Sequence, residues 1–261
     1  MTTSPHRLAL VTGGSKRLGR WIALALARTG WDVVVHCHRS REAAEVTAQD
    51  IRALGRQAWV LSADLESETE VTGLIPACIA LAGLPWCLVN NASLFEYDDP
   101  PSFDPALLHK HMTVNLQAPL LLAQHLHLAH RQARQDLDSY SGVIINLLDQ
   151  KLINLNPDYL SYTLSKAALE AATRLLAQAM APHLRVVGLA PGITLPSGPQ
   201  SDSEFARAHQ HTPLGHSSYP EDIAEAAAYL ASARGVTGTT LYVDGGQHLH
   251  GSSRDVMFTN V

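Results

Sequence analysis

Cysteine is scarce: Cys37, Cys78 and Cys87 are the three in 261 residues, and no two form a Cys-x-x-Cys pair. Their scatter excludes a disulfide frame and a thiolate zinc site, and fits small buried thiols in a reducing compartment. Long apolar runs are missing as well. No stretch reaches the length that spans a bilayer, and Met1 to Arg7 is short and polar. The expectation is a cytoplasmic protein. Charged residues make up only 16% of the chain, the formal net charge is -5, and no lysine or arginine run occurs. Nucleic acid and an anionic membrane are therefore excluded as main partners.

What is present is apolar and periodic. Hydrophobic residues make up 46% of the chain, enough for one large buried core. Short apolar runs predict strands at Leu8–Val11, Asp32–Cys37, Ala58–Leu61, Trp86–Val89, Val143–Leu147, Arg185–Leu189 and Thr240–Val243. Helical patterns lie between them, at about Arg17–Arg28, Glu42–Leu54, Glu68–Ala80, Pro105–Leu137, Asp158–Met180 and Glu221–Ala231. Continuously apolar strands are covered on both faces, and strand–helix alternation implies a doubly wound parallel sheet of about seven strands. No repeat or low-complexity linker breaks residues 1–261, so one α/β domain is expected. The segment Thr194–Tyr219 is rich in proline, serine and glycine and carries His209, His211 and His216, with one helical patch near Ser203–Ala208. A loop of that length in a compact domain is usually functional, and a substrate lid is expected there.

Thr12-Gly13-Gly14-Ser15-Lys16-Arg17-Leu18-Gly19 follows the first strand and opens the first helix. Glycines there let backbone approach a pyrophosphate, and the helix N-terminus offers N–H groups and positive dipole. Gly13, Arg17, Leu18 and Gly19 are the candidates to hold a dinucleotide. An acid that would hold ribose hydroxyls is missing where the second strand ends, at His38-Arg39-Ser40. Arg39 can pair with a 2′-phosphate and His38 and Ser40 can add hydrogen bonds, which predicts NADPH as cofactor. Asp64 and Leu65 suit the adenine edge, Asn91, Ala92 and Ser93 a wall along the cofactor, and Pro191 and Gly192 the floor under the nicotinamide. All follow strand C-terminal ends, where open α/β sheets bind ligands.

Tyr162 and Lys166 are four apart and share a helix face. A neighbouring ammonium favours the phenolate, so Lys166 is expected to lower the Tyr162 pKa and to hold the nicotinamide ribose, while Tyr162 passes a proton. Asn115 interrupts the long helical stretch; it either holds a water leading to Lys166 or satisfies a helix irregularity. Thirteen residues before Tyr162, where a strand ends, stands Asp149. A carboxylate there can accept from an amino-pyrimidine ring or relay a proton; as an alternative it caps a loop.

These motifs resemble the short-chain dehydrogenase/reductase family across nearly the whole chain. Within that family the sequence is most similar to pteridine reductases and the related dihydromonapterin and dihydrofolate reductases. Four details carry the closer likeness: Arg17 in place of the middle glycine of Thr-Gly-x-x-x-Gly-x-Gly, His38-Arg39-Ser40, Asn91-Ala92-Ser93-Leu94-Phe95, and Asp149 in place of the usual serine. The resemblance implies a Rossmann-type fold and a homotetramer. It implies that Phe95 stacks on a flat pterin, Ser93 hydrogen-bonds cofactor or pterin, Arg17 contacts pyrophosphate and pterin, and Asp149 with Tyr162 donates the proton. It also implies that the C-terminus can reach a neighbouring subunit's active site.

The expected activity is NADPH-dependent reduction of a dihydropterin such as dihydromonapterin, dihydrobiopterin or dihydrofolate. The alternatives are a general carbonyl or 3-oxoacyl reductase and a non-catalytic NADPH-binding regulator on the same fold. No metal is expected: His125, His127 and His130 do not share one helix face and lack an acidic partner.

Overall fold

Residues 8–11 illustrate why the strands are apolar throughout. Leu8 and Leu10 face one buried layer while Ala9 and Val11 face the other, and all four are fully buried. The same alternation places Val33 and Val35 opposite Val34, and Val143 and Ile145 opposite Ile144. Successive side chains point to opposite faces, so a strand covered on both sides must be hydrophobic at every position. The fold is that of a computed structural model, and the description covers residues 7–133, 141–196, 209 and 212–258.

Among the described residues seven strands are seen: β1 (Leu8–Val11), β2 (Asp32–Cys37), β3 (Ala58–Ser62), β4 (Cys87–Asn90), β5 (Gly142–Leu147), β6 (Leu184–Pro191) and β7 (Thr240–Val243). They form one sheet in the order β3-β2-β1-β4-β5-β6-β7, and every pairing is parallel. Helices α1 (Arg17–Arg28), α2 (Arg41–Ala53) and α7 (Pro220–Ser232) cover one face. Helices α3 (Glu68–Ala82), α5 (Ala118–Ala133) and α6 (Leu160–Met180) cover the other, and α4 (Pro105–Met112) packs against α6. This is the doubly wound Rossmann-type sheet that alternation implied. After β3 the chain crosses to the other side of β1, so a crevice opens between the C-terminal ends of β1 and β4, where such sheets bind ligands.

The single long helix expected over Pro105–Leu137 is three pieces: α4, a π-helical turn at Thr113–Gln117, and α5. Residues 134–137 lie outside the described residues, as do most of the expected lid, its helical patch and His211. Helix α6 starts at Leu160, two residues later than the pattern suggested, because Tyr159 adopts a left-handed backbone with φ 53° and sits at the N-cap. Among the described residues no helix is long and apolar enough to cross a membrane, and no group of three or more histidine, cysteine or acidic side chains could hold a metal ion.

Two polar ties fix what surrounds the crevice. Asn90 Nδ2 donates to Asn146 Oδ1 at 2.8 Å, Asn146 Nδ2 donates to Thr173 at 2.9 Å, and all three residues are buried. This chain locks β4, β5 and α6 in register, because breaking any link would strand a buried amide. His36 makes the second tie. Its Nδ1 accepts from Gly13 N at 3.2 Å and its Nε2 lies 3.1 Å from Ala63 O. The ring is the neutral tautomer with hydrogen on Nε2, and it holds the glycine loop against β2 and β3. Burial, aided by nearby His38 against the bond to Ala63, pushes the His36 pKa down to about 4.

The unfolded chain therefore binds this proton more readily than the folded one. Stability from His36 is complete above the ordinary histidine pKa and disappears as pH falls towards 4. Denaturant titrations should show a loss of at most about 3 kcal/mol from this residue between neutral and acid pH. His36→Gln should be less stable at neutral pH and lose less on acidification; an identical acid loss in the variant would assign that loss to other groups.

Candidate active site

The N-terminus of α1 is built to receive an anion. Lys16 makes no side-chain cap, the first turn holds no acid, and Arg17 stands at the first helical position. Gly19 can only be glycine. A Cβ there would lie 2.2 Å from Gly13 O and 2.5 Å from Asn91 Nδ2, so the helix could not pack onto the loop. Asn91 closes the other side of the crevice: its Nδ2 donates to Thr12 O at 2.8 Å and its N to Thr12 Oγ1 at 3.0 Å. Arg17 takes a left-handed backbone, φ 49°. Glycine adopts that conformation without steric cost and arginine does not. The Arg17 guanidinium crosses the crevice to donate to Pro196 O at 2.9 Å.

The chemistry-bearing side chains come from β5, its following loop and α6. The Tyr162 hydroxyl donates to Asp149 Oδ2 at 3.0 Å. The other carboxylate oxygen, Oδ1, accepts from Lys151 N at 2.9 Å and caps the short 3-10 turn Gln150–Leu152. Asp149 thus does both things its position allowed: it caps a loop and engages the tyrosine. Desolvation raises the Asp149 pKa, against the bonds from Lys151 N and Tyr162. Burial, then the charge of Asp149 and the bond to it, push Tyr162 well above the ordinary tyrosine value.

That corrects one expectation. Lys166 was to draw Tyr162 towards the phenolate, but its ammonium donates to Leu147 O at 2.7 Å and lies 5.7 Å from the ring centroid. Tyr162 is held as a neutral phenol. Burial pushes Lys166 itself down to about 8, against the attraction of Asp149.

Around this pair lies a cleft of about 670 Å³. Gly13, Arg17, Leu18 and Gly19 line one end, Asn91, Ala92, Ser93 and Phe95 a side, and Asp149, Tyr162, Lys166, Pro191 and Gly192 the floor. Phe95 is backed by Tyr159, stacked at 4.2 Å between ring centroids, and meets Tyr162 edge-on at 4.7 Å.

Five of the residues picked for the cofactor, His38, Arg39, Ser40, Asp64 and Leu65, are not in the cleft lining. They gather beyond it at the ends of β2 and β3. Arg39 is exposed, and Ser40 stands at the N-cap of α2 without using its hydroxyl as a cap, so both suit the far end of an extended phosphorylated ligand. Asp64 is turned onto its own loop: Oδ1 accepts from Glu66 N at 2.9 Å, and Oδ2 lies 3.5 Å from His38 Nε2. Leu65 is buried in the core.

Asn115 also lies outside the cleft lining. Its Oδ1 accepts from Leu94 N at 2.8 Å and from Ser93 Oγ at 3.2 Å, and its Nδ2 donates to Leu94 O and to Ser165, each at 3.0 Å. The amide is fully committed. Asn115 holds the loop bearing Ser93 and Phe95 against α6, and the π turn is what aims it inward.

Several residues here escaped sequence reasoning. Asp98, buried, accepts from Ser161 N at 2.9 Å and so caps α6 from a distant loop. Its signal was weak, one acid in Asp98-Asp99 before prolines. Lys151 is buried in the cleft wall and donates to Asp158 O. Residues Gln247 to Met257 of the same chain form another wall, with His250, Ser252, Arg254 and Asp255 facing the cleft. The resemblance brought the C-terminus to a neighbouring subunit's site; here the tail lines the cleft of its own chain.

A family model described as enoyl-(acyl carrier protein) reductase matches residues 14–248. The chain belongs to the short-chain dehydrogenase/reductase family. An uncharacterised oxidoreductase of Methylorubrum extorquens is 33% identical over 255 residues, covering 94% of this chain and 99% of that protein. A 3-oxoacyl-[acyl-carrier-protein] reductase of Staphylococcus aureus is 30% identical over 246 residues, covering 92% of this chain and 98% of that one. Among solved structures, FolM alternative dihydrofolate reductase 1 from Brucella canis, complexed with NADP, is 39% identical with a TM-score of 0.85, covering 94% of this chain and 95% of that one. The Brucella suis protein of the same name, also with NADP, has a TM-score of 0.84 at 39% identity over 94% of this chain and 96% of that one. The chain is therefore an oxidoreductase by family.

Lys166 gives a test that does not depend on the substrate. Its positive charge disappears as pH rises through about 8. If that charge holds the dinucleotide ribose, kcat/KM for the cofactor should fall above this pH. Lys166→Arg stays protonated and should lose the falling limb while running more slowly throughout; a limb that persists unchanged in the variant belongs to another group.

Proposed function

We propose that this reductase uses NADPH to reduce a dihydropterin, such as dihydromonapterin, dihydrobiopterin or dihydrofolate, to its tetrahydro form. The observation that carries the reading is the 3.0 Å bond between Tyr162 and Asp149, two acids whose pKa values are both raised. A ketone reductase needs a neutral hydroxyl beside its tyrosine to steady a carbonyl oxygen. A carboxyl in that place suits a nitrogen heterocycle, whose ring N–H and amino groups donate to it and whose reduced nitrogen takes up a proton. The two Brucella proteins are named alternative dihydrofolate reductases, which supports the same substrate class.

The cofactor side rests on residues that fit it. Gly13, Gly19 and the uncapped start of α1 suit the pyrophosphate, Lys166 the nicotinamide ribose, and Arg39 with Ser40 the 2′-phosphate. Bound there, NADPH supplies the hydride that goes to C6 of the pterin. Tyr162, kept protonated, gives its proton to N5, and Asp149, itself biased towards the acid form, restores it across their hydrogen bond. Phe95, backed by Tyr159, supplies a flat apolar face for the ring system. Leu147, Pro191 and Ile193 add apolar surface to the cleft lining and limit the access of water to the proton transfer.

The likeness to a 3-oxoacyl reductase favours a second reading, reduction of a carbonyl. A panel of dihydropterins and simple ketones, followed by loss of NADPH absorbance, separates the two. Asp149→Ser should lower dihydropterin turnover by roughly 10²–10⁴-fold while leaving NADPH affinity nearly intact. Full pterin activity in the variant, or turnover of ketones alone in the wild type, would overturn the pterin reading.

Arg39→Asp addresses the cofactor. It should raise KM for NADPH by about tenfold or more and change KM for NADH little. An unaltered preference between the two would move the 2′-phosphate site elsewhere.

A further inference from the structure

The cleft wall formed by the end of the chain is anchored by an ion pair. The Arg254 guanidinium holds the Asp158 carboxylate through Nε at 2.8 and 3.1 Å and through Nη2 at 2.8 Å. The Asp255 N–H adds a third donor to the same carboxylate, at 2.7 Å. Asp158 has a side chain only 2% exposed. Burial opposes its charge, but the bonds from Arg254 and Asp255 N outweigh that and hold its pKa below the ordinary carboxylate range. Two further contacts fasten the segment: the Tyr159 hydroxyl meets Met257 Sδ at 3.1 Å, and Phe258 packs against Tyr97 at 5.2 Å between centroids. Asp158 and Tyr159 directly precede α6. The tail is therefore clamped to the element that carries Tyr162, and its partner Tyr159 is the residue that backs Phe95.

The charges along this wall are already matched. Arg254 is taken by Asp158, and Lys151 donates to Asp158 O and lies 3.5 Å from Asp255. Asp255 remains at the cleft, 18% exposed. The other cations of the lining, Lys16 and Arg17, stand at the start of α1 on the dinucleotide side, and Lys166 is on the floor. A substrate carboxylate reaching the tail would meet matched ion pairs and no free cation.

We propose that residues 252–258 form a strap closing the substrate end of this subunit's own cleft, with Arg254–Asp158 as its latch, and that the strap is the specificity determinant against extended anionic substituents. The inference rests on the dihydropterin reading and deepens it. The substrate class it selects is a compact bicyclic ring with a short uncharged side chain. A ring that carries an aminobenzoyl-glutamate arm must displace the strap or leave its carboxylates beside the Lys151–Asp255 pair with no free cation to receive them, and an uncompensated charge is costly in a partly desolvated site. Arg254 and Asp158 act through the strap and touch neither reacting atom.

The test compares kcat/KM for dihydromonapterin and dihydrofolate in the wild type, Arg254→Ala and Arg254→Lys, with NADPH affinity measured by fluorescence as a check on the folded site. The wild type should favour dihydromonapterin by roughly tenfold or more. Arg254→Ala should collapse that preference, mainly through a lower KM for dihydrofolate, and Arg254→Lys should recover part of it, with NADPH affinity unchanged in all three. A ratio that is the same in the wild type and Arg254→Ala, or a wild type that prefers dihydrofolate, overturns the strap and leaves the dihydropterin reading standing. A wild type that reduces neither pterin refutes that reading and this inference with it. Should Arg254→Ala fail to bind NADPH, Asp255→Asn gives the same comparison without touching the latch: a shift in the ratio towards dihydrofolate supports the strap, and none counts against it.

Discussion

Desolvation of one hydrogen bond sets the terms for the rest of the site. Tyr162 and Asp149 share a bond at the floor of the cleft, withdrawn from water, and there the cost of ionising either group rises. In water the aspartate would be charged and the phenol a poor donor to anything but solvent. Withdrawn from water, both are biased towards keeping their protons. The same withdrawal acts on Lys166 in the opposite sense, making its charge easier to lose. Three residues from two elements thus have their acid–base character set by a single physical cause.

A bond of that kind works only if its partners cannot drift, and the scaffold answers with buried polar ties. Asn90, Asn146 and Thr173 lock the sheet to α6, Asp98 caps the helix just before Tyr162, and Asn115 braces the Phe95 loop against Ser165. Each tie would leave an unsatisfied buried group if it broke, so each is two-sided: satisfied it stiffens, broken it costs. Hydrophobic burial supplies the bulk of the cohesion but little direction. The direction comes from these few amides and carboxylates.

The fold was legible because its signals are local. A fully buried strand must be apolar at every position, so β1, β2 and β5 stand out in the sequence, and their alternation with helices dictates a parallel sheet. Gly19 and the Tyr162–Lys166 spacing were legible for the same reason. What escaped depends on distant contacts. A π turn differs from an α-helix by one residue of register, which no pattern over Pro105–Leu137 reveals. The reversal of the expected Tyr162 shift follows from where Lys166 points: its spacing predicted proximity, but its ammonium is turned to Leu147 O. His36 was read as part of an apolar strand although its ring is the tie between three segments. Arg254 finds Asp158 across almost a hundred residues, and only the folded chain brings them together.

Arg17 carries a consequence for how such a chain can change. Its backbone is left-handed, a conformation that disfavours side chains by roughly 1–2 kcal/mol and that glycine accepts freely. Glycine would make the loop more comfortable and empty the cleft of a cation. At this position the preferences of the backbone and of the ligand site pull apart, and arginine can persist only where the cleft outvotes the turn. Arg17→Gly would therefore gain backbone comfort, and would be a net gain only where that cation is no longer needed.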